Sequence, residues 1–311
     1  MKKKHQPPDI QIYRGKFKLP SPRIPYIPRV SIYKPNKKVV VFDLDETLGS
    51  FGDLYLLWSG IQHIMPKYSD FRELLNIYPE FLRYGILSIL QFIYDKKQKG
   101  ECYKMYIYTN NQCPKAWVQM ICDYFQYKLK IQETDKTPLF DQIIRAFKIG
   151  NKCVELSRTS HEKIHDDLIS CTLLPKSTEV CFIDDMEFSQ MKQDKVYYIR
   201  PRPYYHELSL NVIIDRMFLF FRENVSQKPE ILFSKDYWYD WFSMNKRKNH
   251  DRKLDFTFIE MEVSKKIMFS IKEFFILTTY YENKLKKNGN KTRKQINPPK
   301  SPTNNTKIIF F

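Results

Sequence analysis

The chain has 311 residues, of which 42% are hydrophobic and 15% aromatic, and its formal net charge is +17. It is long enough to bury the core of one large domain or two modest ones. The sequence predicts no transmembrane helix, because the most apolar stretch, 267–281, is interrupted by Lys272 and Glu273.

The excess positive charge lies at the two ends of the chain. Residues 1–38 contain eleven Lys and Arg against one acidic residue, and 284–311 contain eight Lys and Arg and no acidic residue. Both ends are rich in proline or polar residues and resemble unfolded chain. We predict a basic, proline-rich N-terminal arm over 1–36 and a basic disordered tail over 284–311. Such tails increase solubility, or bind nucleic acid, an anionic membrane or an acidic partner.

The six cysteines include no C-x-x-C pair, and no apolar signal-peptide region follows the charged N-terminus. Reduced thiols are typical of proteins in reducing compartments. The sequence therefore predicts a cytoplasmic or nuclear protein that is not secreted.

Apolar runs that end in polar residues predict a series of buried parallel strands. In chain order, strands are expected at the start of 37–48 and at 104–111, 140–147, 178–185 and 195–199. Helices are expected at 53–65, 70–83, 85–97, 114–127, 160–172, 206–222 and 259–283. This alternation predicts an α/β fold, with a Rossmann-like parallel sheet and helices on both faces. The predicted catalytic domain covers 37–222 with a small helical insert at 51–82, and an aromatic-rich helical extension covers 223–283.

Three of the predicted strands end in residues that can carry chemistry. In sheets of this kind, ligands bind beyond the carboxyl ends of the strands, where distant parts of the sequence meet. The residues expected to meet there are Asp43 and Asp45, Thr109 and Asn110, and Asp184 and Asp185.

Clustered carboxylates repel one another and require a cation, and oxygen ligands suit magnesium (Mg2+). With the charge of a phosphate screened, Asp43 could attack phosphorus, and Asp45 could protonate the leaving oxygen and then activate water. Thr47 and Thr109 offer hydroxyl donors to the phosphate, Asn110 is predicted to bind substrate beside them, and a lysine would neutralise the charge of the transition state. Arginines elsewhere are interpreted as surface charges, namely Arg145, Arg158 and Arg202.

The motifs DLDETL, YTNN and FIDD, in this order over residues 38–220, resemble the haloacid dehalogenase (HAD) superfamily of phosphohydrolases. DLDETL is similar to the NLI-interacting-factor-like and small CTD phosphatase group, and the sequences around YTNN and FIDD are similar to HAD-like proteins of large DNA viruses. One departure is Asp185, because the small CTD phosphatases usually have asparagine there. The resemblance implies a nucleophile (Asp43), an acid/base (Asp45), phosphate binders (Thr47, Thr109) and metal ligands (Asp43, the Asp45 backbone carbonyl, and Asp184 or Asp185).

The phosphate-binding lysine is expected near the start of the helix that precedes the Asp184 strand. Thr159 and Glu162 fit a capping box, which predicts that this helix begins near Ser160 and favours Lys163 over the rivals Lys148 and Lys152. The same stretch contains HEKIH (161–165), which matches the H-E-x-x-H zinc signature and offers an alternative metal site.

The sequence predicts a Mg2+-dependent phosphatase that forms an aspartyl-phosphate. The small insert at 51–82 leaves the site open, which suits a phosphoprotein carrying phosphoserine or phosphothreonine. Two alternatives remain. One is a polynucleotide end phosphatase whose basic tails bind the strand, and the other is a non-catalytic HAD-like scaffold that binds protein or nucleic acid.

Overall fold

The structure, a computed structural model, describes residues 10–19, 36–132, 135, 137–225, 229–245 and 256–279. The predicted tail over 284–311 and most of the predicted arm lie outside the described residues. The strands are β1 (Ile10–Tyr13), β2 (Phe17–Lys18), β3 (Lys38–Phe42), β4 (Lys104–Tyr108), β5 (Gln142–Ile144), β6 (Lys148–Ile149), β7 (Lys152–Cys153), β8 (Glu179–Ile183), β9 (Val196–Pro201) and β10 (Thr278–Thr279).

The helices are α1 (Gly52–Ile64), α2 (Phe71–Asn76), α3 (Ile86–Gln98), α4 (Lys115–Lys128), α5 (His165–Thr172), α6 (Leu210–Asn224), α7 (Lys235–Asn245) and α8 (Phe256–Ile276). Short 3₁₀ helices lie at Pro79–Phe81, Ser189–Met191 and Glu230–Phe233. None of the helices in the described part of the chain is long and apolar enough to cross a membrane.

The main sheet has six strands in the order β1-β9-β8-β3-β4-β5. Strands β9, β8, β3, β4 and β5 are parallel, and only β1 runs antiparallel to its neighbour. The fold is therefore α/β, with a mostly parallel central sheet flanked by helices, and it is consistent with a Rossmann-like fold.

The central strand β3 is buried on both faces, which explains its continuous apolar run. Val40 and Phe42 belong to a large core to which seven of the helices contribute. Val39 and Val41 belong to a smaller core on the other face, where α5 contributes Leu168. Helices cover both faces, as predicted, but very unequally.

Part of the N-terminal arm is folded, so the prediction that the whole arm is unfolded is wrong. Strand β1 pairs with β9, with Ile10 opposite Pro201. The buried ring of Phe17 packs against Tyr197 and Phe274, at 5.9 and 5.7 Å between ring centroids. Strand β1 therefore forms the outer edge of the main sheet, beside α8.

Several predicted elements are shorter in the structure. The helix expected over 70–83 ends at Asn76, and a separate 3₁₀ turn begins at Pro79, which lacks the N–H that a continuing helix needs. The strand expected over 140–147 covers only Gln142–Ile144, and a β6–β7 hairpin follows it. The aromatic stretch before α8, where a helical extension was expected without helix bounds, contains α7.

The aromatic-rich extension packs onto the insert. The fully buried ring of Trp238 in α7 occupies the space beside Gly60 of α1, where a Cβ atom would lie 2.5 Å from the ring. Its Nε1 donates to Leu232 O at 2.8 Å, and Nε1 of Trp241 donates to Leu56 O at 2.9 Å. Helix α7 is thus part of the same core as the insert.

Replacing Trp238 with alanine should destabilise the whole domain. The lost burial and the cavity should lower the free energy of unfolding by about 3–5 kcal/mol, as for other buried aromatic residues. Urea denaturation measures this value. Met244→Ala on the exposed face of the same helix should change it by less than about 0.5 kcal/mol. If the two variants were equally stable, α7 would not belong to the core.

Candidate active site

Adjacent strands bring the predicted motifs to one edge of the sheet. In the parallel register, Phe42 at the end of β3 lies opposite Ile107 of β4 and Ile183 of β8. Asp43 follows directly, and its backbone N–H donates to Ile183 O at 2.9 Å. The residues after the ends of β3, β4 and β8 therefore lie side by side.

Three carboxylates form a cluster at this edge. Asp43 and Asp184 are 7% and 0% exposed, and Asp185 is half-buried. One oxygen atom from each carboxylate lies within 4.8 Å of those from the other two. A donor set made only of carboxylates fits Mg2+, which takes one or two of them and keeps several waters. Within the described ranges, no other group of three or more His, Cys, Asp or Glu side chains comes as close together.

The ammonium group of Lys163 lies between two of these carboxylates. Its Nζ donates to Asp184 Oδ2 at 2.6 Å and also to Asp43 Oδ1. Burial by itself lowers the pKa of Lys163, but the neighbouring Asp184 and Asp43 outweigh burial and leave the pKa raised, so the side chain stays charged. The rival lysines, Lys148 and Lys152, lie on the β6–β7 hairpin. Lys163 is therefore the one of the three that contacts the cluster.

The segment that carries Lys163 is a loop, so the predicted capping box and helix start are wrong. Helix α5 begins at His165, after Ile164, whose backbone is extended (φ −123°, ψ 138°). Asp167, in the first turn of α5, accepts the Thr159 N–H at 2.9 Å and its hydroxyl at 3.1 Å. This pairing holds Thr159 against α5, and the residues between Thr159 and the start of α5 form a loop.

The loop conformation also removes the zinc interpretation of HEKIH. The His161 ring contacts Phe147 edge-on at 5.7 Å, whereas Nδ1 of His165 lies 3.7 Å from Asp166. Neither histidine belongs to a metal-binding group of the described residues. The helical spacing on which the signature depends is absent here.

Arg158 holds the Lys163 loop against the end of β4. The prediction that it is a surface charge is wrong, because the side chain is buried. Its guanidinium donates within 2.8–3.1 Å to Thr109 O, Arg145 O, His161 O and Asn110 Oδ1. Five donors in a planar group can satisfy several carbonyls at once, which a lysine could not do.

Asn111, which the sequence analysis missed, contacts the predicted acid/base. Its Nδ2 donates to Asp45 Oδ2 at 2.7 Å, and its Oδ1 accepts the Cys113 N–H at 2.8 Å. Asn110, predicted to bind substrate, instead donates to His161 O at 2.9 Å and so supports the Lys163 loop. The two adjacent asparagines of YTNN indicated that an amide side chain lies at the site. Side chains in a loop do not alternate regularly between two faces, so the sequence did not indicate which of the two amides contacts Asp45.

The two threonines predicted to bind phosphate are buried and differ in their hydrogen bonds. The Thr47 hydroxyl donates to Asp185 Oδ1 and accepts the Asp185 N–H, both at 3.1 Å. It therefore joins two loops rather than offering a donor to a ligand. The Thr109 hydroxyl accepts the Asn111 N–H at 3.0 Å, and among the described residues it has no acceptor for its own proton. Thr109 keeps a donor that a ligand could use.

Burial and mutual repulsion disfavour negative charge in the cluster. Burial and the nearby Asp43 raise the pKa of Asp45 to about 6, although the bond from Asn111 opposes the shift. The pKa of Asp185 rises to about 6 for the same two reasons. Burial also raises the pKa of Asp184, against the effect of Lys163. One ammonium group does not balance these carboxylates, and a bound cation would complete the site.

No protein-family model matches the chain, and none of the curated proteins matches it. Any chemistry assigned to the chain depends on the side chains at this sheet edge.

Mg2+ should stabilise the protein more at pH 7.5 than at pH 5. The folded-state pKa of Asp185, about 6, lies above its unfolded value of about 4. Without metal, the stability associated with this group is fully present below pH of about 4 and lost as the pH rises through about 6. Mg2+ bound to the ionised carboxylates would offset this loss.

Thermal unfolding with and without MgCl2, at matched ionic strength, measures this effect. Asp185→Asn should reduce the Mg2+-induced rise in Tm. Glu187→Gln, at an exposed residue paired with Lys192 and Arg200, should leave it unchanged. An equal rise in Tm at both pH values would contradict binding at the carboxylate cluster.

Proposed function

We propose that the protein is a Mg2+-dependent phosphatase that forms an aspartyl-phosphate on Asp43. The observation that carries this proposal is the charged Lys163 between Asp43 and Asp184, with Asp45 two residues after Asp43. Phosphoryl transfer needs a nucleophile, an acid/base and preorganised positive charge, and these side chains supply all three. The resemblance of DLDETL, YTNN and FIDD to HAD phosphohydrolases supports the same chemistry and an HAD-like form of the fold.

In the first step, an Asp43 oxygen attacks phosphorus, and the bond from phosphorus to the leaving oxygen breaks as Asp45 gives that oxygen a proton. In the second step, Asp45 takes a proton from water, which attacks phosphorus and releases inorganic phosphate and free Asp43. Lys163 stabilises the negative charge of the transferred group in both steps, and Thr109 can donate to one of its oxygens.

The cation fits the cluster because the three side chains that converge there all offer carboxylate oxygens. Asp43, Asp184 and Asp185 would hold it. When bound, Mg2+ screens the charge of the phosphate from the charge of Asp43.

For the substrate, we infer phosphoserine or phosphothreonine on a protein. The insert consists of α1, α2 and the 3₁₀ helix Pro79–Phe81, and its two α-helices pack against α7 and α4, respectively. The resemblance to phosphoprotein phosphatases favours the same substrate.

The net charge of +17 favours the second candidate, a polynucleotide end. Turnover of phosphopeptides compared with that of 3′- and 5′-phosphorylated oligonucleotides distinguishes the two. A scaffold without activity would have no need to keep both Asp43 and Asp45.

Asp43→Asn should abolish turnover of p-nitrophenyl phosphate without unfolding the protein, because an amide does not attack phosphorus. We expect kcat to fall by a factor on the order of 10³ or more, as for other lost nucleophiles. Asp95→Asn, at an exposed residue of α3, is the control and should retain full activity. If Asp43→Asn stayed within about tenfold of the wild-type kcat, a loss of about 1.4 kcal/mol, the nucleophile would be misassigned.

Asn111→Ala should reduce turnover of poor leaving groups more than that of activated ones. Asn111 orients Asp45, and protonation of the leaving oxygen matters most when that oxygen is basic. The measurement compares kcat for phenyl phosphate and p-nitrophenyl phosphate. Asn110→Ala, which loosens the Lys163 loop, should reduce both alike. An equal loss for both substrates in Asn111→Ala would rule out a role through Asp45.

A further inference from the structure

The loop that carries Asp43 and Asp45 turns back in a conformation that side chains disfavour. Glu46, directly after Asp45, has a φ of +56°, in the left-handed region. The Glu46 N–H donates to Gly49 O at 2.8 Å, which closes the turn. A residue other than glycine remains in this region only when its surroundings hold it there. Contacts from outside the loop must therefore maintain the turn.

Arg83 contacts the backbone of this turn at three residues, and the Tyr204 N–H also donates to Glu46 O at 2.9 Å. The Arg83 side chain is 1% exposed, and its guanidinium donates to Thr47 O at 2.7 Å, to Glu46 O at 2.6 Å and to Arg202 O at 2.8 Å. The Arg83 backbone N–H donates to Leu48 O at 3.0 Å. One residue thus binds three successive carbonyls of the turn.

Helix α8 fixes the position of Arg83. Glu260 of this helix accepts Arg83 Nη1 at 2.9 Å, and both side chains are buried. One turn further along α8, Ser264 lies against Gly85, where a Cβ atom would be 2.2 Å from the serine Oγ and φ is +71°. Residues four apart lie on one helical face, so the same face of α8 contacts the chain at both 83 and 85.

We propose that Arg83 is a positioning residue for the catalytic loop and that Glu260 makes α8 a required part of the active site. This inference rests on the proposed phosphatase function and deepens it. It gives the C-terminal part of the predicted 223–283 extension a role in catalysis. Without the guanidinium, the Thr47 carbonyl loses its side-chain donor, the Glu46 carbonyl keeps only the Tyr204 N–H at 2.9 Å, and the turn can relax to right-handed backbone. That change would displace Asp45 from Asn111.

The test is Arg83→Lys compared with Arg216→Lys in the full-length protein. A lysine keeps the positive charge beside Glu260, but its single ammonium cannot reach carbonyls in three directions. Arg216 forms a similar pair with Glu80 at 2.8 Å, but that pair is partly exposed, and the other bond of the Arg216 guanidinium is to Ile77 O at 3.1 Å, outside the turn. The measurements are kcat and KM for p-nitrophenyl phosphate and hydrogen exchange of peptides that cover 43–49.

In Arg83→Lys we expect kcat to fall by about tenfold or more while KM changes by less than about threefold, because the loop acts on the transition state. Amide hydrogen exchange of the peptides that cover 43–49 should become faster in this variant. Arg216→Lys should match the wild type in all of these measurements.

Glu46→Gly provides a rescue that a merely structural role would not predict. Glycine adopts left-handed backbone without strain, so the turn would need less support from Arg83. The double variant Arg83→Lys/Glu46→Gly should recover kcat and exchange protection relative to Arg83→Lys. Glu46→Gly in the wild-type background should show no comparable gain.

A folded Arg83→Lys variant with wild-type kcat and exchange would overturn the proposal, as would failure of Glu46→Gly to restore either. If Arg83→Lys does not fold, Glu260→Gln is measured in its place, and failure of both to fold would assign the pair to stability alone. If the wild type hydrolyses no phosphomonoester, the proposed function fails separately. Exchange over 43–49 and its rescue still test the positioning role in that case.

Discussion

Carboxylates at neighbouring strand ends repel each other, and the sheet edge of this protein depends on the positive charge placed among them. Two unit charges 4 Å apart interact by about 4 kcal/mol at the effective dielectric constant of partly buried sites. Lys163 supplies one such charge, between Asp43 and Asp184. In the proposed function, a bound cation would supply the rest. Under the proposed function, this repulsion would be relieved when a cation accompanies the phosphate into the site.

Two buried arginines hold the loops that this arrangement requires. Arg158 attaches the Lys163 loop to the end of β4, and Arg83 attaches the loop after Asp45 to α8. Both donate mainly to backbone carbonyls, so they fix the path of the chain instead of contacting a ligand. The N-terminal strand β1 and helices α7 and α8 belong to the same compact unit as the sheet. The catalytic domain expected at 37–222 is thus only part of what supports the site.

The sequence predicted the sheet well because a parallel strand that is buried on both faces has a recognisable pattern, an apolar run that ends in polar residues. It also led to the expectation that Lys163 lies beside the carboxylates, but from a helix start that the structure does not have. The contacts that it missed join residues far apart in the chain. Arg83 and Glu260 are separated by 177 positions, and Asn111 and Asp45 by 66. Local patterns of capping and periodicity carry no information about such pairs, and the backbone of a loop decides which of two adjacent asparagines faces the site.

The most direct test of the central claim is to locate the phosphoryl group during turnover. Protein incubated with p-nitrophenyl phosphate and Mg2+ is quenched in acid, digested and analysed by mass spectrometry, with Asp45→Asn included to slow hydrolysis of the intermediate. The account predicts one added phosphoryl group on Asp43, absent when Mg2+ is removed and absent in Asp43→Asn. Turnover without this adduct, or with the phosphoryl group on another residue, would contradict it.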